Sequence, residues 1–151
     1  MIKIVCVGKI KEKYLRDAID EYVKRLSKYT KLEIIELLDE GIDDKKQVMA
    51  KEKEKILKSI DSKSYIILLD REGKEISSID LAKKIDESIT YHNCITFIIG
   101  GSYGVDEEIK NISNEIISFS KLTFPHQLFR VLLLEQVYRS FKIINNETYH
   151  K

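Results

Sequence analysis

Ile98-Ile99-Gly100-Gly101-Ser102-Tyr103-Gly104 and Phe119-Ser120-Lys121-Leu122-Thr123-Phe124-Pro125-His126 are the two stretches on which the reading of this chain turns. The first runs a short apolar strand into a turn with three glycines in five residues. Tight turns of positive φ explain one or two of these, and main chain closing on a ligand explains all three. The second is a small-polar loop ending at the only proline of the chain. Pro125 pushes Phe124 into an extended conformation and starts a helix; it also holds the preceding loop open, so that backbone amides and carbonyls can meet a planar ligand. The helix that follows carries Leu128, Phe129, Val131, Leu132, Leu133, Leu134, Val137, Tyr138 and Phe141, apolar around nearly its whole circumference. Such a helix is buried between layers or against a second subunit, and self-association is the economical expectation for a short chain.

Upstream, strands and helices alternate. Ile2–Val7 reads as a strand and Glu12–Tyr29 as a helix, with Leu15, Ala18, Ile19, Tyr22, Leu26 and Tyr29 on one face. Leu32–Leu38 is expected to be a strand, Gly41–Asp43 a turn, and Lys45–Ile60 a charged surface helix with a thin stripe of Met49, Ile56, Leu57 and Ile60. Tyr65–Leu69 is a short apolar strand. Ser78-Ile79-Asp80 supplies the cap for a helix with Leu81, Ala82, Ile85 and Ile89 on one side. Cys94–Ile99 is the next buried strand, Asp106–Asn111 a short helix, Glu115–Phe119 a strand and Gln127–Ile144 the last helix. Apolar strands separated by helices predict an α/β fold with a mainly parallel sheet covered on both faces, as one domain over residues 1–151.

Composition narrows the function classes. The chain has 151 residues, 43% hydrophobic and 34% charged, with a formal net charge of +1. It is long enough for a core without disulfides or metals, and no apolar run spans a membrane. The start reads as a strand rather than a leader, so the cytoplasm is the expected compartment. Cys6 and Cys94 sit in apolar runs and read as core residues, with no metal-ligand spacing. Near-neutral charge argues against strong binding of bare RNA, because that affinity scales with the phosphates neutralised. A nucleic-acid partner then needs a local patch: Arg130 and Arg139 are candidates to hold a phosphate backbone, with His126 beside the loop. The glycine turn lacks the G-x-G-x-x-G spacing and a following P-loop lysine, which disfavours a nucleotide-phosphate enzyme. His92 is expected to face solvent. The tail, ending Tyr149-His150-Lys151, is either frayed or folded over the site to meet a base.

Several segments together resemble the RlmH family, small SPOUT-class methyltransferases of large-subunit ribosomal RNA. They are Val5-Cys6-Val7-Gly8-Lys9, Leu69-Asp70-Arg71-Glu72-Gly73-Lys74, Ile98 to Gly101, Phe119 to Arg130, Glu135-Gln136-Val137-Tyr138-Arg139 and Tyr149-His150. The resemblance implies a SPOUT-type sheet with a C-terminal trefoil knot, and a homodimer. It implies S-adenosyl-L-methionine as cofactor, contacted by Leu69, Gly100, Phe119, Ser120, Lys121, Leu122, Thr123 and Phe124. It implies methylation of N3 of a pseudouridine in 23S rRNA on the assembled ribosome, without a metal. Arg130, Arg139 and His126 are then expected to meet the RNA. Tyr149, His150 and Arg139 are expected at the target base, with His150 a candidate proton acceptor. A SPOUT methyltransferase of tRNA or of another rRNA site, and a non-catalytic ribosome-binding dimer, are the alternatives.

Overall fold

The computed structural model describes residues 1–41 and 43–151, so the turn expected at Gly41–Asp43 falls partly outside the described residues. Strands β1 (Ile2–Val7), β2 (Leu32–Leu37), β3 (Tyr65–Glu75), β4 (Ile95–Ile99) and β5 (Glu115–Ser118) form one sheet in the order β2-β1-β4-β3-β5. All four pairings are parallel. Every residue of β1 and β4 is buried, as expected for central strands covered on both faces.

The strand period of two separates the layers. Ile2, Ile4, Cys6, Phe97 and Ile99 face one core, shared with α1 (Lys13–Leu26), α3 (Ser78–Tyr91) and α5 (His126–Ile144). Val5, Val7, Leu68 and Ile98 face the other, closed by Ile56 of α2 (Lys45–Ser59) and Ile109 of α4 (Glu107–Ile112). Cys6 and Cys94 are buried free thiols, and burial pushes the Cys6 thiol up to about 11. Among the described residues no helix is long and apolar enough to cross a membrane, and no group of three His, Cys, Asp or Glu could hold a metal.

Five expectations need correction. β3 runs six residues past Leu69, to Glu75, and its pairing with β5 is irregular between Leu69 and Lys74. Gly73 makes this excursion possible: a Cβ there would stand 2.8 Å from the Ile116 carbonyl carbon, a backbone atom with no room to move. The cap of α3 is Ser77, whose hydroxyl accepts from the Asp80 N–H while the Asp80 carboxylate accepts from the Ser77 N–H. The buried face of α3 therefore holds Ser88, and Ile89 is exposed. The buried stripe of α2 is Val48, Glu52 and Ile56, an acid where only apolar residues were expected. His92 is half-buried against the Tyr65 ring, with centroids 5.1 Å apart.

Candidate active site

At the carboxyl ends of β3, β4 and β5 the two decisive stretches meet around a cavity of about 710 Å³. This is where parallel α/β sheets place ligands, because the loops leave the strands there in diverging directions. The glycine turn forms one wall. A Cβ on Gly100 would lie 2.6 Å from Val105 Cγ1, and one on Gly101 2.8 Å from a carboxylate oxygen of Glu52. Gly104 holds φ +80° and donates its N–H to the Gly101 carbonyl at 3.0 Å, which closes the turn.

The loop between β5 and α5 forms the opposite wall. Phe119 packs on Phe129 at 5.0 Å between centroids, and Phe124 stacks on Phe129 at 6.1 Å and 22°. The Ser120 hydroxyl accepts from the Leu122 N–H, and Arg71 donates to the Thr123 hydroxyl at 3.1 Å. The extension of β3 is thereby tied to the loop. Of the residues expected to contact a cofactor, Leu69, Gly100, Phe119, Ser120, Leu122, Thr123 and Phe124 all line this cavity. His126, the first residue of α5, lines it too. Lys121 does not: it turns away to a shallower recess beside Arg71 and Glu75.

Arg130 requires a larger correction. It is 1% exposed, with one guanidinium nitrogen on Glu36 Oε2 at 2.9 Å and another on the Gly8 carbonyl at 3.0 Å. Its Nε lacks a hydrogen-bond partner, alone among the buried side-chain polar atoms of the described residues. A side chain so enclosed cannot meet a phosphate backbone; it knits α5 to β1 and β2.

The tail is folded, not frayed. Tyr149 packs edge-on against Tyr138 at 5.0 Å and donates its hydroxyl to Glu135 at 3.0 Å. Arg139 donates to Glu135 through Nε and a terminal nitrogen, lies 4.8 Å from the Tyr149 ring centroid, and approaches His150 Nδ1 at 3.2 Å. An arginine can only donate, so in this contact Nδ1 is the accepting atom. Burial, then the Glu135 carboxylate, pushes the Tyr149 phenol up to about 12, so it is a donor at neutral pH. This constellation stands apart from the cavity. Arg139 lies 10 positions along α5 from Phe129, the cavity-lining residue of that helix nearest to it, about 15 Å at ~1.5 Å per residue.

The family model described as "Predicted SPOUT methyltransferase" matches residues 1–150. The chain belongs to this family. Relatives named "Ribosomal RNA large subunit methyltransferase H" are 54% identical in Clostridium botulinum and 48% identical in Acetivibrio thermocellus, each alignment covering 99% of both chains. A relative from Methanococcus maripaludis is 55% identical over the same share. The solved structure of "a probable methylase family protein" from Haemophilus influenzae superposes with a TM-score of 0.58 at 16% identity, covering 99% of this chain and 70% of that one, a likeness of fold.

The SPOUT cavity also uses residues that sequence reasoning passed over. Lys45 and Met49 of α2 line it, and Arg71 stands at its edge beside Thr123. The spacing of Lys45, Met49 and Glu52, at i, i+4 and i+7, was available as a signal. It was masked because the stripe mixes a cation, a thioether and an acid rather than apolar residues.

Proposed function

We propose that the protein methylates large-subunit ribosomal RNA at N3 of a pseudouridine, using S-adenosyl-L-methionine bound in the cavity at the strand ends. The observation that carries this reading is that cavity, built from the β5–α5 loop and a glycine turn with no room for a Cβ at Gly100, in a chain of the SPOUT family. Its size suits an adenosine with a methionine chain. The aromatic wall of Phe119, Phe124 and Phe129 offers faces for a purine, and the main chain of residues 119–124 offers donors and acceptors at its edge.

The donor supplies an electrophilic methyl on a positively charged sulfur. In the transfer the sulfur–methyl bond breaks with its electron pair kept by sulfur, a bond forms to the imide nitrogen, and the imide proton leaves. What the protein contributes is alignment and proton handling. Gly100 and Gly101 let the backbone approach the donor, and the Arg71–Thr123 contact fixes the loop opposite them. His126 stands at the rim, where an RNA strand enters.

The tail completes the site from a second subunit. Arg139 lies 10 positions beyond Phe129 on α5, about 15 Å along the helix from that cavity wall, and the Arg139–Tyr149–His150 constellation is placed to serve a neighbour's cavity. The exposed Tyr14 and Leu128, flanking one recess beside the cavity, are the apolar surface for such a homodimer. Within the dimer Arg139 and Tyr149 act as donors to the RNA. His150 takes the imide proton at Nδ1 once it leaves Arg139. The chain after the last strand threads through an earlier loop as a trefoil knot, consistent with the glycine turn and the β5–α5 loop lining one cavity. The protein works in the cytoplasm, where ribosomes lacking the modification are found, and the ribosome supplies most of the RNA-binding surface.

The test is transfer of labelled methyl from S-adenosyl-L-methionine to ribosomes lacking the modification, with free 23S rRNA and tRNA alongside. Label at N3 of a pseudouridine in the ribosomal sample alone is the expected result. Label in tRNA would reassign the substrate. Donor binding without label in any RNA would leave a binding module.

A further inference from the structure

Glu52 is the most unusual charged group in the molecule. It is 5% exposed, the acid in the buried stripe of α2, and among the described residues no ion pair holds its carboxylate. The cation that acts on it, Lys55, is committed to Glu40 and the Leu38 carbonyl. Buried carboxylates normally carry several donors, because desolvating a charge without them is costly. Burial raises this carboxyl above its ordinary range, Asp39 and Glu40 push the same way, and only Lys55 opposes them.

Its position gives the isolated charge a use. The two carboxylate oxygens lie 2.8 and 2.9 Å from where a Cβ on Gly101 would stand, flush against the turn from the α2 side. Gly101 itself lines the cavity, and so does Met49, three residues before Glu52 on α2. One layer of glycine backbone therefore separates an uncompensated negative charge from the ligand space. With no side chain on Gly101 and no counter-ion paired with Glu52, that field reaches the cavity at short range.

We propose that Glu52 is a positioning residue that, acting across the Gly101 turn, gives the cavity its preference for a positively charged sulfonium ligand over the neutral thioether left after methyl transfer. The inference rests on the methyl-donor reading of the cavity. It gives the charged helix a part in the reaction cycle: the donor is held while it carries charge, and the hold weakens when the methyl has gone. The stability that a pairing partner would provide is given up at a functional site, a common exchange.

The experiment is calorimetric titration of the chain with S-adenosylmethionine and with S-adenosylhomocysteine at about pH 8, well above the ordinary carboxyl range. Wild type is compared with Glu52→Gln, which keeps the shape and removes the charge. Glu52→Met, neutral and similar in volume, is run in parallel, and both are checked by thermal melting. In the variants the sulfonium ligand should bind about tenfold more weakly, the thioether within about twofold of wild type, and the melting temperature should hold or rise. Equal losses for both ligands with a lowered melting temperature would make Glu52 a structural brace and overturn the proposal. Unchanged affinities for both would overturn it as well. A wild-type chain that bound neither ligand would instead remove the methyl-donor reading, and this inference with it.

Discussion

Arg130 and Glu36, 94 positions apart in sequence, form the ion pair that fastens the last helix to the edge of the sheet. Glu36 is shared more widely. Its Oε2 also accepts the Ile10 N–H at 2.8 Å, and its Oε1 accepts Arg16 at 3.2 Å. One carboxylate thus gathers β2, the turn after β1, α1 and α5. Replacing Glu36 with Gln leaves a guanidinium that is 1% exposed facing a neutral amide. Removing one partner of a buried pair costs about 3 to 5 kcal/mol, far more than an exposed pair is worth. Denaturant unfolding of Glu36→Gln should show a loss of that order with an unchanged slope. A loss below about 1 kcal/mol would mean that the pair is incidental.

The same carboxylate sets an acid limit. Burial alone would raise the Glu36 carboxyl, but the Ile10 N–H, Arg16 and Arg130 outweigh it and hold it below the ordinary range. A carboxyl depressed on folding contributes stability above its unfolded value, about 4.3, and that contribution fades as pH falls through the lower folded value. Wild-type stability should therefore decline below about pH 4, and the decline should be shallower in Glu36→Gln. Melting curves between about pH 3 and pH 7 check this; parallel curves for the two proteins would contradict it.

The layers of the fold were legible because strand and helix periods are. The apolar runs at Ile2–Val7 and Ile95–Ile99 admit no reading but central strands, and the loop of residues 119–126 announced a pocket through its proline and small polar residues. What the sequence hid were polar side chains whose partners are distant. Arg130 looks like a surface cation among leucines, and only the approach of Glu36 and the Gly8 carbonyl makes it a core residue. Glu52 reads as one more charge in a charged helix until the Gly101 turn is set against it. The extension of β3 past Leu69 depends on a close approach to Ile116 that Gly73 permits and no local pattern reveals.

Lys121 gives a test of the cavity's outline. It sits inside the loop yet faces a recess beside Arg71 and Glu75, outside the main cavity. Lys121→Ala should leave the affinity for S-adenosylmethionine within about twofold of wild type. Phe124→Ala, which removes a ring of the aromatic wall, should weaken it by about tenfold or more. Calorimetric titration of both variants decides the matter. A large loss at Lys121 would mean that the loop rearranges around the ligand.

The separation of the tail from its own cavity leads to a mixing experiment. Gly100→Ala should abolish donor binding, because its methyl would stand 2.6 Å from Val105 Cγ1, with the Gly104 carbonyl oxygen 3.1 Å away limiting any shift. Deleting Tyr149 to Lys151 should leave donor binding intact and remove turnover, since Tyr149 packs on Tyr138 and Glu135 well away from the cavity. Each homodimer would be inactive for a different reason. Under random exchange half of the dimers are mixed, and each mixed dimer joins one sound cavity to one sound tail. About a quarter of the wild-type rate should then return. A site contained within one chain predicts no recovery at all, because neither variant holds both parts. Methyl transfer to ribosomes, measured before and after subunit exchange, separates these outcomes. Melting curves on each variant alone establish that both enter the mixture folded.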